Sequence, residues 1–203
     1  MNDQQWDKKL KIQTVGRDAS QSDAYRYPYE PTDYAVLQRL ADSGWISPEH
    51  VLVDYGCGKG RVGFFLHAVV GCRTIGVEYD SRVYAAALEN LRSYGDAGIT
   101  FVCTGAEHFR VDHADCFYFF NPFSLEVLQS VYARILESYY CQLNAKRFFF
   151  YYPSEAYVSW LMSRQELHFL QEIDCRDLFS APTDRERILV FELPDLHGQE
   201  VSP

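Results

Sequence analysis

The hydrophobic pattern of the chain alternates between two periods. Short apolar runs predict strands, and stretches with apolar residues three and four apart predict helices. The predicted strands cover 51–54, 72–78, 99–103, 115–120, 148–152, 168–175 and 187–193. The predicted helices cover 31–43, 61–70 and 81–94, and two more begin after Ser124 and Ser154. Thr32 or Asp33 and Ser81 are the expected caps of the first and third of these helices.

The order of these elements predicts an α/β fold. Strands that alternate with helices through residue 163 favour right-handed crossovers and a parallel sheet. The apolar run at 148–152 predicts a central strand buried on both faces. Residues 176–186 lack helical spacing and are too few for a crossover. The last strand is therefore expected to lie antiparallel.

The first predicted strand leads into a candidate binding turn, VLVDYGCGKG at 51–60. Gly56, Gly58 and Gly60 allow positive φ and let a ligand approach the main chain. Asp54 places a carboxylate at the floor of the turn. Because a turn that binds pyrophosphate offers N–H groups and avoids a nearby acid, Asp54 favours a cationic or hydroxyl-rich ligand.

The glycine spacing also fits a dinucleotide site. Gly58, Gly60 and Gly63 match G-x-G-x-x-G, a pattern that should begin directly at the strand end. Gly58 lies four residues after Asp54, and this register counts against a dinucleotide. Glu78 ends the second predicted strand, where an acid accepts hydrogen bonds from ribose hydroxyls. Nicotinamide and adenosine cofactors both use such an acid, so Glu78 indicates a nucleoside of either kind.

Three motifs resemble those of the class I S-adenosylmethionine-dependent methyltransferases: VLVDYGCGKG at 51–60, TIGVEYD at 74–80 and FFNPF at 119–123. The resemblance implies a doubly wound, mostly parallel sheet of seven strands, with helices on both faces and an antiparallel last strand. It implies S-adenosylmethionine as cofactor and methyl transfer as activity. Asp54 and the glycine loop are expected to hold the cationic methionine part, and Glu78 the ribose.

The third motif is the candidate catalytic turn, formed by Asn121, Pro122 and Phe123, and Asn121 is also assigned to the cofactor site. In the amino-directed branch of the family, an Asn or Asp precedes two prolines and an aromatic residue. The amide oxygen and the next carbonyl accept hydrogen bonds from the nitrogen to be methylated. Here Phe123 replaces the second proline and Ser124 the aromatic residue, which weakens the resemblance to base-methylating enzymes. Asn-Pro is also a common turn opener, and serine a common helix cap.

Two weaker features add candidates for the cofactor site. The segment 29–32, Tyr-Glu-Pro-Thr, resembles one that packs over the methionine end in some relatives, including the Rossmann-fold histone lysine methyltransferases. Tyr29 and Thr32 are therefore assigned to the cofactor site, and Tyr25 and Tyr27 are candidates for the substrate entrance.

The exit of the third strand is the expected adenine site. The backbone N–H of Ala106 is expected to meet the adenine ring, and the Glu107 carboxylate its amino group. An acid in the first turn of a helix is also simply favourable for the helix dipole.

Composition and charge narrow the class of protein. The chain has 203 residues, 47% hydrophobic and 23% charged, which is typical of a globular domain. Six cysteines without a C-x-x-C pair predict reduced thiols, and no His spacing suggests a metal. With no span of about 20 apolar residues and no signal peptide, a cytoplasmic protein is expected. We predict an N-terminal extension or lid at 1–30, one methyltransferase domain at 31–194 and a frayed tail at 195–203.

The sequence alone does not determine which molecule accepts the methyl group. A net charge of −9 disfavours nonspecific binding to nucleic acid. Basic residues at 8–11 and 146–147 keep structured RNA among the alternatives. The sequence favours methyl transfer to a nitrogen of a protein side chain or small molecule. Methylation of a nucleic-acid base, and a regulatory module that binds S-adenosylmethionine without catalysis, are the alternatives.

Overall fold

The computed structural model of the protein describes residues 2–16 and 30–196. The helices are α1 (Asp3–Leu10), α2 (Tyr34–Asp42), α3 (Arg61–Val70), α4 (Ser81–Tyr94), α5 (Leu125–Gln142) and α6 (Glu155–Met162). The strands are β1 (Val51–Tyr55), β2 (Arg73–Glu78), β3 (Ile99–Cys103), β4 (Cys116–Phe120), β5 (Lys146–Tyr151), β6 (His168–Asp174) and β7 (Arg187–Leu193). Short 3-10 helices, Ala106–His108 and Arg176–Leu178, follow β3 and β6. All seven predicted strands are present.

The strands form one sheet in the order β3-β2-β1-β4-β5-β7-β6. The first five pair in parallel, and β7 lies antiparallel between β5 and β6. The predicted seven-stranded fold with an antiparallel last strand is confirmed. The strand order reverses between β1 and β4, and in such sheets ligands bind beyond the carboxyl ends of the strands at this point.

Two hydrophobic cores cover the two faces of the sheet. One packs residues of α1 to α4 against the sheet, and the other packs α5 and α6 against the opposite face. The side chains of Phe148, Phe149 and Phe150 are at most 1% exposed, and alternate residues enter the two cores. The prediction that this aromatic run is buried on both faces is therefore confirmed.

Helix caps follow the predictions with one exception. Asp33, Ser124 and Ser154 cap α2, α5 and α6 through side-chain oxygens. The cap of α4 is Asp80, whose carboxylate accepts a hydrogen bond from the Arg82 N–H at 2.9 Å. The expectation that Ser81 is this cap was wrong, because the aspartate one position earlier satisfies the exposed N–H group and Ser81 becomes the first helical residue.

Helix α1 was not predicted. It begins with a capping box between Asn2 and Gln5, and Trp6 packs on Phe65 of α3 at 4.8 Å between ring centroids. Of its eight residues only Trp6 and Leu10 are apolar, so the sequence shows no helical period. Helix α1 is instead held by tertiary contacts.

One of the two basic clusters is not a surface patch. Lys146 is 1% exposed, and its Nζ donates to the Ala114 carbonyl at 2.7 Å. Burial lowers the pKa of Lys146. Arg147 pairs with Glu192 at 2.9 Å. The idea that these two cations form a patch for RNA was wrong, because Lys146 is buried and the partly exposed Arg147 is paired with Glu192.

The prediction of free, largely buried thiols is confirmed. All six cysteines are free thiols, four of them buried, with Cys103 and Cys141 exposed. Within residues 2–16 and 30–196, no helix has the length and apolar character that crossing a membrane requires.

Candidate functional site

A cavity of about 600 Å³ lies where the carboxyl ends of β1, β2, β4 and β5 meet. Residues 30–33 border it on one side, and Asp3 of α1 also reaches it. The cavity is at the point where the strand order reverses, as the fold leads one to expect. Eight carboxylate residues and two arginines line it.

Asp54 lies at the floor of this cavity and is 3% exposed. Its Oδ2 atom is buried and has no hydrogen-bond partner among the described residues. Burial, with a smaller contribution from the charge of Glu78, raises the pKa of Asp54 to about 8. A buried carboxyl group in this state lacks a partner, and a cation brought into the cavity can provide one.

The glycine turn after β1 has two functions. Gly56 lines the cavity with φ +75°, and a Cβ atom there would lie 2.6 Å from Cβ of Pro122. Gly58 and Gly60 also have positive φ but are outside the cavity lining. A Cβ on Gly60 would lie 2.5 Å from the Phe101 ring. The absence of a side chain at Gly56 therefore lets the turn after β4 come close at the cavity wall, and its absence at Gly60 lets the Phe101 ring pack against the glycine turn.

Glu78 ties the glycine turn to the end of β2. Its Oε2 accepts a hydrogen bond from the Gly58 N–H at 3.0 Å, and Oε1 accepts one from Asp80 N–H at 2.9 Å. Glu78 is 7% exposed and lines the cavity. Burial raises the pKa of Glu78, and the backbone hydrogen bonds oppose that effect. The carboxylate is thereby fixed in place beside Asp54.

The exit of β3 brings the predicted adenine residues to the cavity. Ala106 and Glu107 both line it from the short 3-10 helix. A Cβ atom on Gly105 would lie 2.9 Å from Oε2 of Glu107, so the carboxylate folds back over this glycine. The Glu107 carbonyl accepts a hydrogen bond from Nε of Arg134 in α5. This hydrogen bond attaches the turn after β3 to α5.

The turn after β4 places Asn121, Pro122 and Phe123 on the cavity wall. Asn121 has φ +41°, a region in which asparagine is enriched, and its buried Oδ1 has no hydrogen-bond partner in the described part of the chain. Phe123 is 4% exposed, and its carbonyl accepts a hydrogen bond from the Tyr157 hydroxyl at 2.6 Å. Asn121 therefore presents an acceptor, while Phe123 anchors the turn in the core.

Of the two residues of segment 29–32 that were assigned to the cofactor site, Thr32 lies within the described part of the chain. It is 2% exposed and shares a hydrogen bond of 3.0 Å with the Tyr118 hydroxyl. Thr32 lines the cavity together with its neighbours at 30, 31 and 33. Tyr25, Tyr27 and Tyr29 lie outside the described residues.

Arg61, which the sequence analysis missed, connects this segment to α1. The side chain is 2% exposed and pairs with Asp3 at 2.5 Å. It donates to Oγ1 of Thr14 at 2.7 Å and to the Thr32 carbonyl at 3.1 Å, and it lies over the Tyr34 ring at 4.4 Å. The sequence contained no indication of these contacts, because an arginine in the first turn of a helix is usually exposed to solvent.

A second set of missed residues lines the cavity beyond Asn121. We call it the β5–β7 pocket; it consists of Phe120, Tyr151, Tyr152, Phe179, Arg185 and Glu186. The position of the two tyrosines at the carboxyl end of a parallel strand was a usable signal. Phe120, at the carboxyl end of β4 and inside the FFNPF motif, had the same signal. Phe179, Arg185 and Glu186 had none, because they lie in or beside the irregular segment between β6 and β7.

The topology and the site define the fold: it is that of the class I S-adenosylmethionine-dependent methyltransferases. A putative RNA methyltransferase from Pyrococcus horikoshii superposes with a TM-score of 0.61 at 14% identity, over 95% of this chain and 97% of that one. An RNA methyltransferase from Salinibacter ruber in complex with S-adenosyl-L-homocysteine gives 0.59 at 16% identity, over 86% of this chain and 100% of that one. A TehB-like SAM-dependent methyltransferase from Corynebacterium glutamicum gives 0.55 at 17%, over 93% and 94%.

Sequence comparison gives a shorter match. No family model matches the chain. The histone-lysine N-methyltransferase of Dictyostelium discoideum, specific for H3 lysine 79, is 43% identical over 65 residues, which is 32% of this chain. The chain thus matches 3% of the length of that curated relative.

Proposed function

We propose that the protein binds S-adenosylmethionine in the cavity and transfers its methyl group to a nitrogen of a protein side chain or small molecule. The observation that carries this proposal is Asp54, a buried carboxyl group with an unpartnered oxygen, next to Glu78 at the point where the strand order reverses. A ligand with an ammonium and a sulfonium group beside two hydroxyls fits these two acids.

The cavity residues divide between the parts of such a ligand. Asp54 and the backbone at Gly56 are the candidates for the cationic methionine end, and Glu78 for the ribose hydroxyls. Ala106 and Glu107 are the candidates for adenine. When bound, S-adenosylmethionine supplies a methyl group on a positively charged sulfur, which is already activated for transfer.

The task of the protein is therefore orientation. Holding two reactants in alignment is worth about 7–11 kcal/mol of a barrier. Oδ1 of Asn121 is a buried acceptor without a partner in the described residues, and it is suited to orient an N–H group of the acceptor. Its neutral amide positions a nitrogen but is not a base.

The class of the acceptor is best tested in a cell extract. Methyl groups from labelled S-adenosylmethionine are expected in a fraction that survives nuclease and is removed by protease, or in the small-molecule fraction. Label that disappears with nuclease would instead identify an RNA or DNA acceptor. Tight cofactor binding without label in any fraction would support a regulatory module.

Replacement of Asn121 by glycine is expected to impair transfer while it leaves cofactor binding intact. Glycine keeps the positive φ without strain, so the change removes only the amide. We expect the rate of methyl transfer to fall about 100-fold, because misplacement of the acceptor by about 1 Å has effects of this size. Calorimetry with S-adenosylhomocysteine should show little change.

Lys11→Gly is the matched control for Asn121→Gly. Lys11 has φ +57° at the exposed end of α1 and does not line the cavity. Its replacement should leave the transfer rate unchanged. Equal effects of the two substitutions would contradict the role of Asn121.

Cofactor binding is expected to release a proton. At pH 7, Asp54 with a pKa of about 8 is mostly protonated in the free protein. An ammonium group beside it favours the ionised form, so up to about one proton is released per ligand at pH 7, and affinity rises with pH up to about 8. Titration calorimetry with S-adenosylhomocysteine in phosphate and in Tris should give binding enthalpies that differ accordingly. Identical enthalpies in the two buffers would contradict the proposed contact with Asp54.

A further inference from the structure

The β5–β7 pocket extends the cavity beyond the residues assigned to the cofactor. Its aromatic members are close together: the ring centroids of Phe120 and Tyr151 are 4.7 Å apart, and those of Phe120 and Tyr152 are 6.3 Å apart. Tyr152 has φ +52°, which is rare for a bulky residue. Since Asn121 also has positive φ, the neighbouring strands β4 and β5 both lead into strained residues on this cavity.

Arg185 holds this strained geometry in place. Its guanidinium donates to the carbonyl groups of Tyr152 at 2.9 Å and Pro153 at 3.1 Å. The same guanidinium lies over the Tyr152 ring at 4.1 Å. Backbone strain of this kind persists only where the surroundings enforce it. The guanidinium of Arg185 thus holds the backbone of Tyr152 and Pro153 in place at the wall of the pocket.

Glu186 is the acid of the pocket. It accepts a hydrogen bond from the Tyr151 hydroxyl at 2.7 Å through Oε2 and is partly exposed. Burial and the bond to Glu186 raise the pKa of Tyr151, so the tyrosine remains a neutral donor. The carboxylate is thereby held at the cavity wall beside the aromatic rings.

The charge of the whole cavity favours a cation. Among the described residues, eight carboxylates line it against two arginines, and seven remain when Asp54 is taken as neutral. A cavity of one sign concentrates ligands of the other sign and repels a polyanion. Aromatic faces beside a carboxylate are a common recognition site for ammonium groups. At neutral pH an alkylamine with a pKa near 10.4 is such a cation.

We propose that the β5–β7 pocket recognises the methyl acceptor as an alkylammonium group, with Glu186 as its counter-charge and the rings of Phe120 and Tyr152 as its wall. This inference rests on the proposed function, because the pocket continues the cavity assigned to the cofactor. A lysine side chain and a small free amine both carry such an alkylammonium group at neutral pH. Asn121 lines the same cavity and is the candidate to orient the nitrogen. Before transfer the bound ammonium loses a proton to water, and the lone pair of the neutral amine then takes the methyl group, so that the sulfonium leaves as a neutral thioether.

The test is a ligand-observed NMR titration of the full-length protein saturated with S-adenosylhomocysteine. The probes are n-butylamine, n-butanol as its uncharged analogue, an acetyl-Gly-Lys-Gly-amide peptide, and an RNA oligonucleotide of about ten nucleotides. We expect the amine to bind roughly 5- to 20-fold more tightly than the alcohol. Tighter binding of the peptide identifies a protein lysine as the source, and tighter binding of butylamine identifies a small amine.

Glu186→Gln is the critical variant, since glutamine still accepts the Tyr151 hydrogen bond and loses only the charge. It should weaken amine binding roughly 5- to 20-fold, without effect on the alcohol or on S-adenosylhomocysteine. Glu166→Gln is the matched control, because Glu166 accepts a hydrogen bond from the Tyr132 hydroxyl at 3.1 Å outside the cavity. An unchanged melting temperature confirms that the variants are folded.

The results separate this inference from the proposed function. Equal affinity for amine and alcohol, an amine affinity that Glu186→Gln leaves unchanged, or tighter binding of the RNA oligonucleotide than of either amine probe would overturn the alkylammonium assignment while cofactor binding stands. Failure of S-adenosylhomocysteine to bind at all would overturn the proposed function, and the inference with it.

Discussion

Asp54→Asn is expected to stabilise the protein while it abolishes cofactor binding. The folded state raises the pKa of Asp54 from 3.8 to about 8, so at pH 7 the group is neutral when folded and ionised when unfolded. This difference between the folded and unfolded pKa values lowers the free energy of unfolding by about 4 kcal/mol at pH 7. Asparagine has no such cost, but burial of its amide group destabilises the folded state by about 1–2 kcal/mol. A net gain of about 2–3 kcal/mol should appear in urea denaturation.

The pH dependence of Asp54→Asn identifies its cause. Because the folded pKa is raised, the stability of the parent protein is lost as pH rises from about 4 to 8. The advantage of Asp54→Asn should therefore vanish near pH 5, and near pH 4 the variant should be about 1 kcal/mol less stable than the parent, because the cost of the buried amide remains. Asp184→Asn, at an aspartate 99% exposed, is the control and should change stability by less than about 0.5 kcal/mol. A gain that is the same at every pH would show that ionisation of Asp54 is not its source.

Arg61→Met is expected to have the opposite effect on stability. Removing the guanidinium leaves Asp7, which is 6% exposed, without its nearest cation, and leaves the Thr32 carbonyl without this donor. Loss of one partner from a buried charged network costs about 3–5 kcal/mol. Urea denaturation should show this loss, and proteolysis should cleave first near α1, because Arg61 also pairs with Asp3.

Two comparisons test the explanation for Arg61. Arg39→Met removes a surface pair with Asp177, which is 65% exposed, and should cost less than about 1 kcal/mol. In Arg61→Met the Asp7 carboxylate keeps its hydrogen bonds from Thr14 and Tyr34 but loses the guanidinium charge. The double variant Arg61→Met/Asp7→Asn removes that buried charge and should recover part of the loss. If the double variant is no more stable than Arg61→Met alone, the buried charge of Asp7 is not the origin of the destabilisation.

The sequence predicted the features that depend on short-range patterns. Apolar runs marked all seven strands, and the irregular segment 176–186 marked the antiparallel β7. Asp54 and Glu78 were found because each ends an apolar run at the same edge of the sheet, where side chains of neighbouring parallel strands meet.

The features that were missed depend on long-range contacts. Arg61 meets Thr14 and Asp3 across 47 and 58 residues of sequence, and no local pattern records such pairs. Lys146 resembled a surface cation until the fold placed the Ala114 carbonyl against its amino group. The positive φ of Tyr152 was equally hidden, since glycine rather than tyrosine usually marks that conformation.

The contact between Gly56 and Pro122 has an evolutionary consequence. A methyl group at position 56 would lie 2.6 Å from the proline ring, so the two turns that line the cavity fit together only as a pair. Gly56 also has φ +75°, so a side chain there stays strained even if the residue at position 122 becomes smaller. Among related sequences, position 56 should therefore stay glycine whatever residue occupies position 122, and lineages that shift to a new acceptor should change at other residues of the cavity.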